Sequence, residues 1–273
     1  MNCKKICIIG LLILFCALNR AAFLRVDAYR DGYTYRLQTT NVLMPIGMIK
    51  VLAGEFRGMV ANYFVLEAAS FNGSEQAANA STEDWNAIAN LLEKSSDLDP
   101  YFKSTYRLAQ STLPWQVQKY EETFSILERS KRHRDWDWEP GFFKGFNYHF
   151  FLRDDLSASR EMLEASKVEG APVMLATLGS RLASKAGQTR AAIEFLSALY
   201  EEAQDEQIKA TLQERIEALK GVEILQAAVD RFQKRYDRWP DTLDELVEKT
   251  ILMALPNNPY QRPYSLKEGT VDF

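Results

Sequence analysis

Between Phe142 and Leu199 one helix-turn-helix pattern occurs twice in the same register, and no other feature restricts the fold of this chain so strongly. In the first copy Phe143, Phe146 and Phe150 lead to a polar break at Asp154-Asp155, then to Leu156, Ser159, Leu163 and Ser166. The second copy lies 33 positions later, with Ala176, Gly179 and Ala183, the break Gly187-Gln188, then Ala192, Leu196 and Leu199. This spacing predicts that Phe143, Phe146, Phe150, Leu163, Leu178, Leu182 and Leu196 are buried between helices. A period in the thirties with two amphipathic helices per unit predicts a helical solenoid, because each pair must bury its face on its neighbours. Such arrays are binding surfaces rather than catalytic frames.

Composition narrows the class further. With 47% hydrophobic residues among 273, the chain can bury a sizeable core. Only 13 Gly and 9 Pro are spread along it, which suits an all-α fold. A charged fraction of 26% that nearly cancels, leaving a net charge of -4, argues against nucleic acid as a partner.

Residues 1–27 read as a membrane anchor. Lys4 and Lys5 precede an apolar run from Ile6 to Leu18, extended by Ala21 to Leu24 past Asn19-Arg20. That length crosses a bilayer if Arg20 reaches to the interface. A secretory signal peptide is the rival reading, but no A-x-A-like pair of small residues follows the run. Lys4, Lys5 and the amino terminus favour an inside N-terminus, opposed in part by Arg20, Arg25 and Arg30. Cys3, Cys7 and Cys16 all lie in or beside the anchor, and a body without cysteine suits an oxidising compartment. The expected topology is therefore a single-pass anchor with the body on the extracytoplasmic side of the membrane.

Residues 28–81 form a pre-repeat helical region. Pro45 suits a first helical turn, and Ile49, Leu52, Phe56, Val60 and Phe64 keep helical spacing, widened by Met48, Met59, Tyr63 and Leu66. The expectation is a helix buried against the first repeat; an interfacial helix lying on a bilayer is the alternative. Phe71 to Thr82 reads as a loop.

Residues 82–205 carry the repeats. Trp85 to Pro100 ends in Leu98-Asp99-Pro100, Tyr106 and Ala109 open a further unit whose second helix is expected over about Val117 to Arg129, and Phe143 to Ser166 and Ala176 to Leu199 supply two more. These units resemble the tetratricopeptide repeat, although Phe146-Asn147 replaces its Leu-Gly pair, and Ser159 and Ser166 stand where small alanines are usual. The longer string, with Leu98-Asp99-Pro100, Gly145-Phe146-Asn147-Tyr148 and Gly170-Ala171-Pro172, also resembles membrane-anchored repeat proteins of Gram-negative bacteria. That resemblance implies an envelope-facing adaptor.

Residues 206–273 are a different module. Ile208 to Tyr236 reads as one long helix with Ile216, Leu219, Ile224, Ala227, Ala228 and Phe232 on a stripe, stopped by Trp239-Pro240. Leu243, Leu246 and Val247 form a short amphipathic helix, and Tyr260 to Phe273 a small hairpin that caps the array. The stretch from Arg235-Tyr236 through Pro263-Tyr264-Ser265-Leu266 resembles the C-terminal region of type II secretion pseudopilins, with Asn258 in place of an aspartate. The N-terminus departs from that family: Gly10 is followed by Leu11, not Phe.

Candidate chemistry is sparse. His133 and His149 lack metal-ligand spacing, and no Gly-rich phosphate loop follows a strand, so no metal, cofactor or catalytic residue is expected. Asp135, Asp137 and Glu139 alternate with Trp136 and Trp138, and the pattern reads as a turn whose acids stay wet while the tryptophans dock on Phe142 and Phe143. The leading function is a scaffold that binds a peptide or protein partner, within a secretion or assembly apparatus; the alternative is a hydrolase or small-ligand-binding domain built on the same helices. The tetratricopeptide resemblance implies a groove lined one and five positions past the aromatic slot of each first helix. Carried onto Tyr106, Phe143 and Ala176, those positions are Arg107, Ser111, Lys144, Tyr148, Thr177 and Arg181, and the three basic ones would favour an acidic segment or a free carboxylate.

Overall fold

The computed structural model describes residue 12, residues 14–25 and residues 44–273. Of the expected anchor, residues 12 and 14–25 fall within that set and are helical, with Leu14, Phe15, Leu18 and Phe23 exposed. The rest of the anchor, and residues 28–43 of the pre-repeat region, lie outside the described residues. Among the described residues no helix is long and apolar enough to cross a membrane.

From Ile46 onward the chain is mostly helical. The helices are α1 (Ile46–Ala53), α2 (Arg57–Asn72), α3 (Thr82–Leu98), α4 (Lys103–Val117), α5 (Tyr120–His133), α6 (Glu139–Phe150), α7 (Asp155–Ala165), α8 (Val173–Lys185), α9 (Thr189–Glu202), α10 (Glu206–Tyr236) and α11 (Glu245–Glu248). Strands β1 (Ser265–Lys267) and β2 (Thr270–Asp272) form an antiparallel hairpin near the C-terminus. From α2 to α10 each helix packs on the next, and α2 with α4, α3 with α5, α4 with α6 and α8 with α10 also touch.

Local signals set the boundaries. Ser81 opens α3 through a capping box with Asp84, satisfying donors that a helix start leaves free. Gln118, in the left-handed region at φ 54, closes α4, so the following helix begins at Tyr120 rather than near Val117. Asp154 and Asp205 cap α7 and α10 by accepting backbone N–H groups.

The starts of α6 and α7 recur in α8 and α9 at an offset of 34 residues, not 33. Helix starts move from Glu139 to Val173 and from Asp155 to Thr189. Burial follows that shift: Gly141 pairs with Leu175, Gly145 with Gly179, Ala158 with Ala192 and Met162 with Leu196, all buried. One residue turns a helix face by about 100°. The expected core stripe is therefore rotated: Leu182 and Leu196 are buried, Phe143, Phe146, Leu163 and Leu178 are half-buried, and Phe150 is exposed. What α6 buries instead is its small side. A Cβ on Gly145 would lie 2.8 Å from Met162 Cγ and 3.0 Å from the Ala158 carbonyl oxygen, so α6 and α7 approach at glycine distance.

The pre-repeat helix is also corrected. Gly54, at φ 50, breaks it into α1 and α2 through a short 3-10 turn at Gly54–Phe56. Ile49, Ala53, Ala61, Phe64, Val65 and Ala68 face inward, whereas Leu52 and Phe56, expected inside, are 70% and 65% exposed.

The long helix α10 buries Leu212, Ile216, Leu219, Val222, Leu225, Val229 and Phe232 at heptad-like spacing. Ile224 and Ala227 sit one step off that stripe and are exposed. A first apolar cluster joins α1 to α5, a second joins α8 to the hairpin, and a small one around Ala158, Met162 and Leu182 lies between them.

Candidate binding groove

The C-terminal module is built on α10. Asp237, left-handed at φ 54, ends that helix, and Leu243 and Leu246 then return to its buried stripe. Tyr264 seats over Gly221, where any Cβ would meet its Oη at 2.0 Å, and it donates to the Ala218 carbonyl at 3.2 Å. Tyr260 stacks on Phe273 with ring centroids 5.8 Å apart, and the Arg215 guanidinium lies 5.1 Å and 4.9 Å from those two rings. Two of its nitrogens are buried without a partner, and desolvation pulls its pKa down.

Between α10, the α11 segment and the hairpin runs an open groove of about 840 Å³. Its apolar wall includes Leu225, Leu243, Leu255 and Leu266; its polar groups are Asp241, Asp244, Gln261, Arg262 and Asn258. Asn258 is 6% exposed. Its Oδ1 accepts the Tyr260 N–H at 3.0 Å, while its buried Nδ2 has no partner. A buried amide donor left open costs about 1–3 kcal/mol.

The hairpin supplies a second open group. Val271 pairs with Leu266, yet its N–H is donated at 3.0 Å to the Gln226 side chain on α10 and not to β1. Opposed residues in an antiparallel ladder share one type of pair, so Leu266 likewise turns its N–H and C=O away from β2. The edge of β1 at Leu266, which lines the groove, has no backbone partner among the described residues.

The six residues expected to line a concave groove have other surroundings. Arg107 donates to Glu139 through Nε at 2.8 Å and Nη2 at 2.6 Å. Lys144 lies between Glu128 and Glu161, 2.8 Å from each. Arg181 clamps Asp272 with bonds of 3.1 and 2.9 Å. Each cation thus already has its carboxylate, and each belongs to a different cluster. Burial works against the charge of Lys144, but the bonds from Glu128 and Glu161 outweigh it and raise its pKa. Ser111 is exposed and bonds the Leu108 carbonyl, Tyr148 stacks on Phe124 at 4.7 Å, and Thr177 is buried.

The acids expected to stay wet include two that do not. Asp137, 9% exposed, accepts from Tyr106 Oη at 2.7 Å and from Arg134 Nε at 3.0 Å. Burial opposes ionisation of Glu139, yet the hydrogen bonds from Arg107 and Lys103 overcome it and hold its carboxyl at about 2. Trp138 docks on Phe142 as expected, whereas Trp136 stacks on Tyr101. The cluster is a brace between α4 and the α5–α6 turn, with every acceptor used internally. Among the described residues no group of His, Cys, Asp and Glu could hold a metal ion.

No family model, curated protein or solved structure matches the chain.

Proposed function

We propose that the protein is a non-enzymatic, membrane-anchored helical scaffold of tetratricopeptide-like repeats that holds an extended polypeptide segment in its C-terminal groove, on the periplasmic side of the inner membrane. The groove carries this reading: an apolar wall of leucines beside a buried, unpartnered Asn258 donor and an open strand edge at Leu266. A polypeptide presents what those groups lack, a carbonyl for Asn258, a backbone for the β1 edge and an apolar side chain for the leucines. The 34-position recurrence of α6–α7 in α8–α9 supports the repeat array, and the C-terminal module then caps its last pair through contacts of β2 with α8 and α10. Glu139 and Glu161, two buried-side carboxyls of the array, are held ionised by Lys103, Arg107, Lys131 and Lys144, which suits a structural brace better than acid catalysis.

The test uses peptides selected from a random library on the full-length protein. Asn258→Asp keeps the Oδ1 acceptor and removes the amide donor; Leu266→Pro removes the outward N–H without taking a bond from the β1–β2 ladder. Each variant is expected to weaken the selected peptides by about tenfold, the worth of one hydrogen bond near 1.4 kcal/mol. Unchanged binding to both, with helical content preserved, places the site elsewhere.

A further inference from the structure

After the apolar N-terminal helix, the exposed large apolar side chains concentrate not in the groove but on α1 and α2. Val51 is 81% exposed, Leu52 70%, Met59 68%, Phe56 65% and Leu66 62%, with Met48 and Tyr63 beside them. They hold one side across the Gly54 break while Ile49, Ala53, Ala61, Phe64 and Ala68 pack inward. Single exposed leucines are ordinary on a soluble surface; seven large apolar side chains on one face are not. A cleft of about 240 Å³ opens into this face, and Met44, Leu52, Val60, Tyr63 and Phe64 give it a mainly apolar lining.

We propose that this face lies on the lipid bilayer, with α1 and α2 in the plane of the headgroups and their exposed side chains among the acyl chains. The occupant follows from what surrounds the face. Between Met44 and Leu66 the charged residues are Lys50, Glu55 and Arg57, a net positive set suited to anionic headgroups. The cleft, mainly apolar in its lining, suits a hydrocarbon chain. The chain between Leu24 and Met44 spans at most about 70 Å when extended, which bounds how far the face lies from the end of the apolar N-terminal segment. This inference draws on the proposed anchor for proximity, but the face is an independent observation.

The full chain, with Cys3, Cys7 and Cys16 changed to Ser, is given a single reactive site by Val51→Cys or Met59→Cys and labelled with an environment-sensitive fluorophore. Arg190→Cys, at a residue whose side chain is 84% exposed, is the control for accessibility and for protein enclosed in the lumen. In vesicles of phosphatidylcholine and phosphatidylglycerol, nitroxide-labelled acyl chains should quench positions 51 and 59 several-fold more than position 190, and iodide several-fold less. Iodide quenching equal to that at position 190 overturns the proposal. So does protection from iodide without quenching by the acyl chains, the result for a second copy or another protein on this face. Flotation after an alkaline carbonate wash reports on the anchor separately: a chain stripped by carbonate, yet quenched by acyl chains before the wash, loses the anchor and keeps the lipid face.

Discussion

Gly145→Ala tests whether α6 meets α7 through its small side. In a free helix the change would stabilise by about 1 kcal/mol, since glycine is the poorer helix former. Here the added Cβ would lie 2.8 Å from Met162 Cγ and 3.0 Å from the Ala158 carbonyl oxygen. Met162 is 1% exposed and has no solvent to swing into, and the Ala158 oxygen belongs to the helix backbone. Overpacking of this kind costs about 1–3 kcal/mol and must exceed the propensity gain before any loss is seen. The expected net effect is destabilisation by about 1 kcal/mol. Gly58→Ala is the matched control, because its Cβ would meet only the Asp99 carboxylate at an ordinary 3.5 Å; it should leave stability unchanged or raise it slightly. Reversible denaturant unfolding of the full chain in mild detergent, followed by far-ultraviolet circular dichroism, reads both. If Gly145→Ala stabilises as much as Gly58→Ala, the close approach of α6 and α7 is wrong.

Glu139 ionises at about 2 in the fold against 4.5 for the free group, so its stabilisation is complete above pH 4.5 and drains away as the pH falls toward 2. Because Lys103 and Arg107 are partly exposed, about 1–2 kcal/mol is expected; Glu139→Gln should remove that much at pH 7 and flatten the acid limb of an unfolding titration, and an unaltered limb would count against the brace. Lys144→Glu places a third carboxylate beside Glu128 and Glu161 and should cost about 2 kcal/mol or more in the same unfolding assay, whereas a groove-lining lysine free in solvent would cost almost nothing. Gly221→Ala should evict Tyr264 from its seat, and limited proteolysis should then cut between Trp239 and Tyr264 while α3 to α9 stay intact; a resistant module would mean that Tyr264 has another way to pack.

The helices were legible because their signals are local. Periodic apolar residues, the Ser81 cap, the stop at Trp239-Pro240 and the polar breaks between units each act within a few residues. The facing of those helices was less legible. Phenylalanine is the larger hydrophobe, so Phe143, Phe146 and Phe150 suggest the core, yet two helices come closest where side chains are smallest, and Gly141 and Gly145 take that position. The same one-residue slip carries into the expected groove: Lys144, Tyr148 and Thr177 turn away from a free surface toward Glu128, Phe124 and the α8 core. Pairing across 16 to 91 positions, as in Lys144–Glu128 and Arg181–Asp272, leaves no periodic trace in a single sequence. The groove was missed for a related reason. Asn257-Asn258-Pro259-Tyr260 announces a turn, but only the fold shows that one face of that turn looks onto Leu225 and Leu243.

Unsatisfied polar atoms occur in both halves of the chain, and their surroundings separate their meaning. Ser96 and Thr112 each leave a hydroxyl without a partner, and Asn147 leaves its Oδ1 unpaired although its Nδ2 donates to Gln110 at 2.6 Å. All three are about 1% exposed and walled in by packed helices, so no external group can reach them without unfolding. Their cost is charged to stability alone. Asn258 leaves a donor open at comparable burial, but it lines a groove that a chain can enter, beside the β1 edge whose N–H and C=O also point outward. In the proposed reading, a carbonyl that reached this donor would recover the same desolvation cost. The cations of the helical array offer no such recovery, since Arg107, Lys144 and Arg181 would have to leave carboxylates they already hold at 2.6 to 3.1 Å. A ligand would have to beat an existing ion pair in the array and only displace water in the groove, and that difference is why we propose the C-terminal module as the place of recognition.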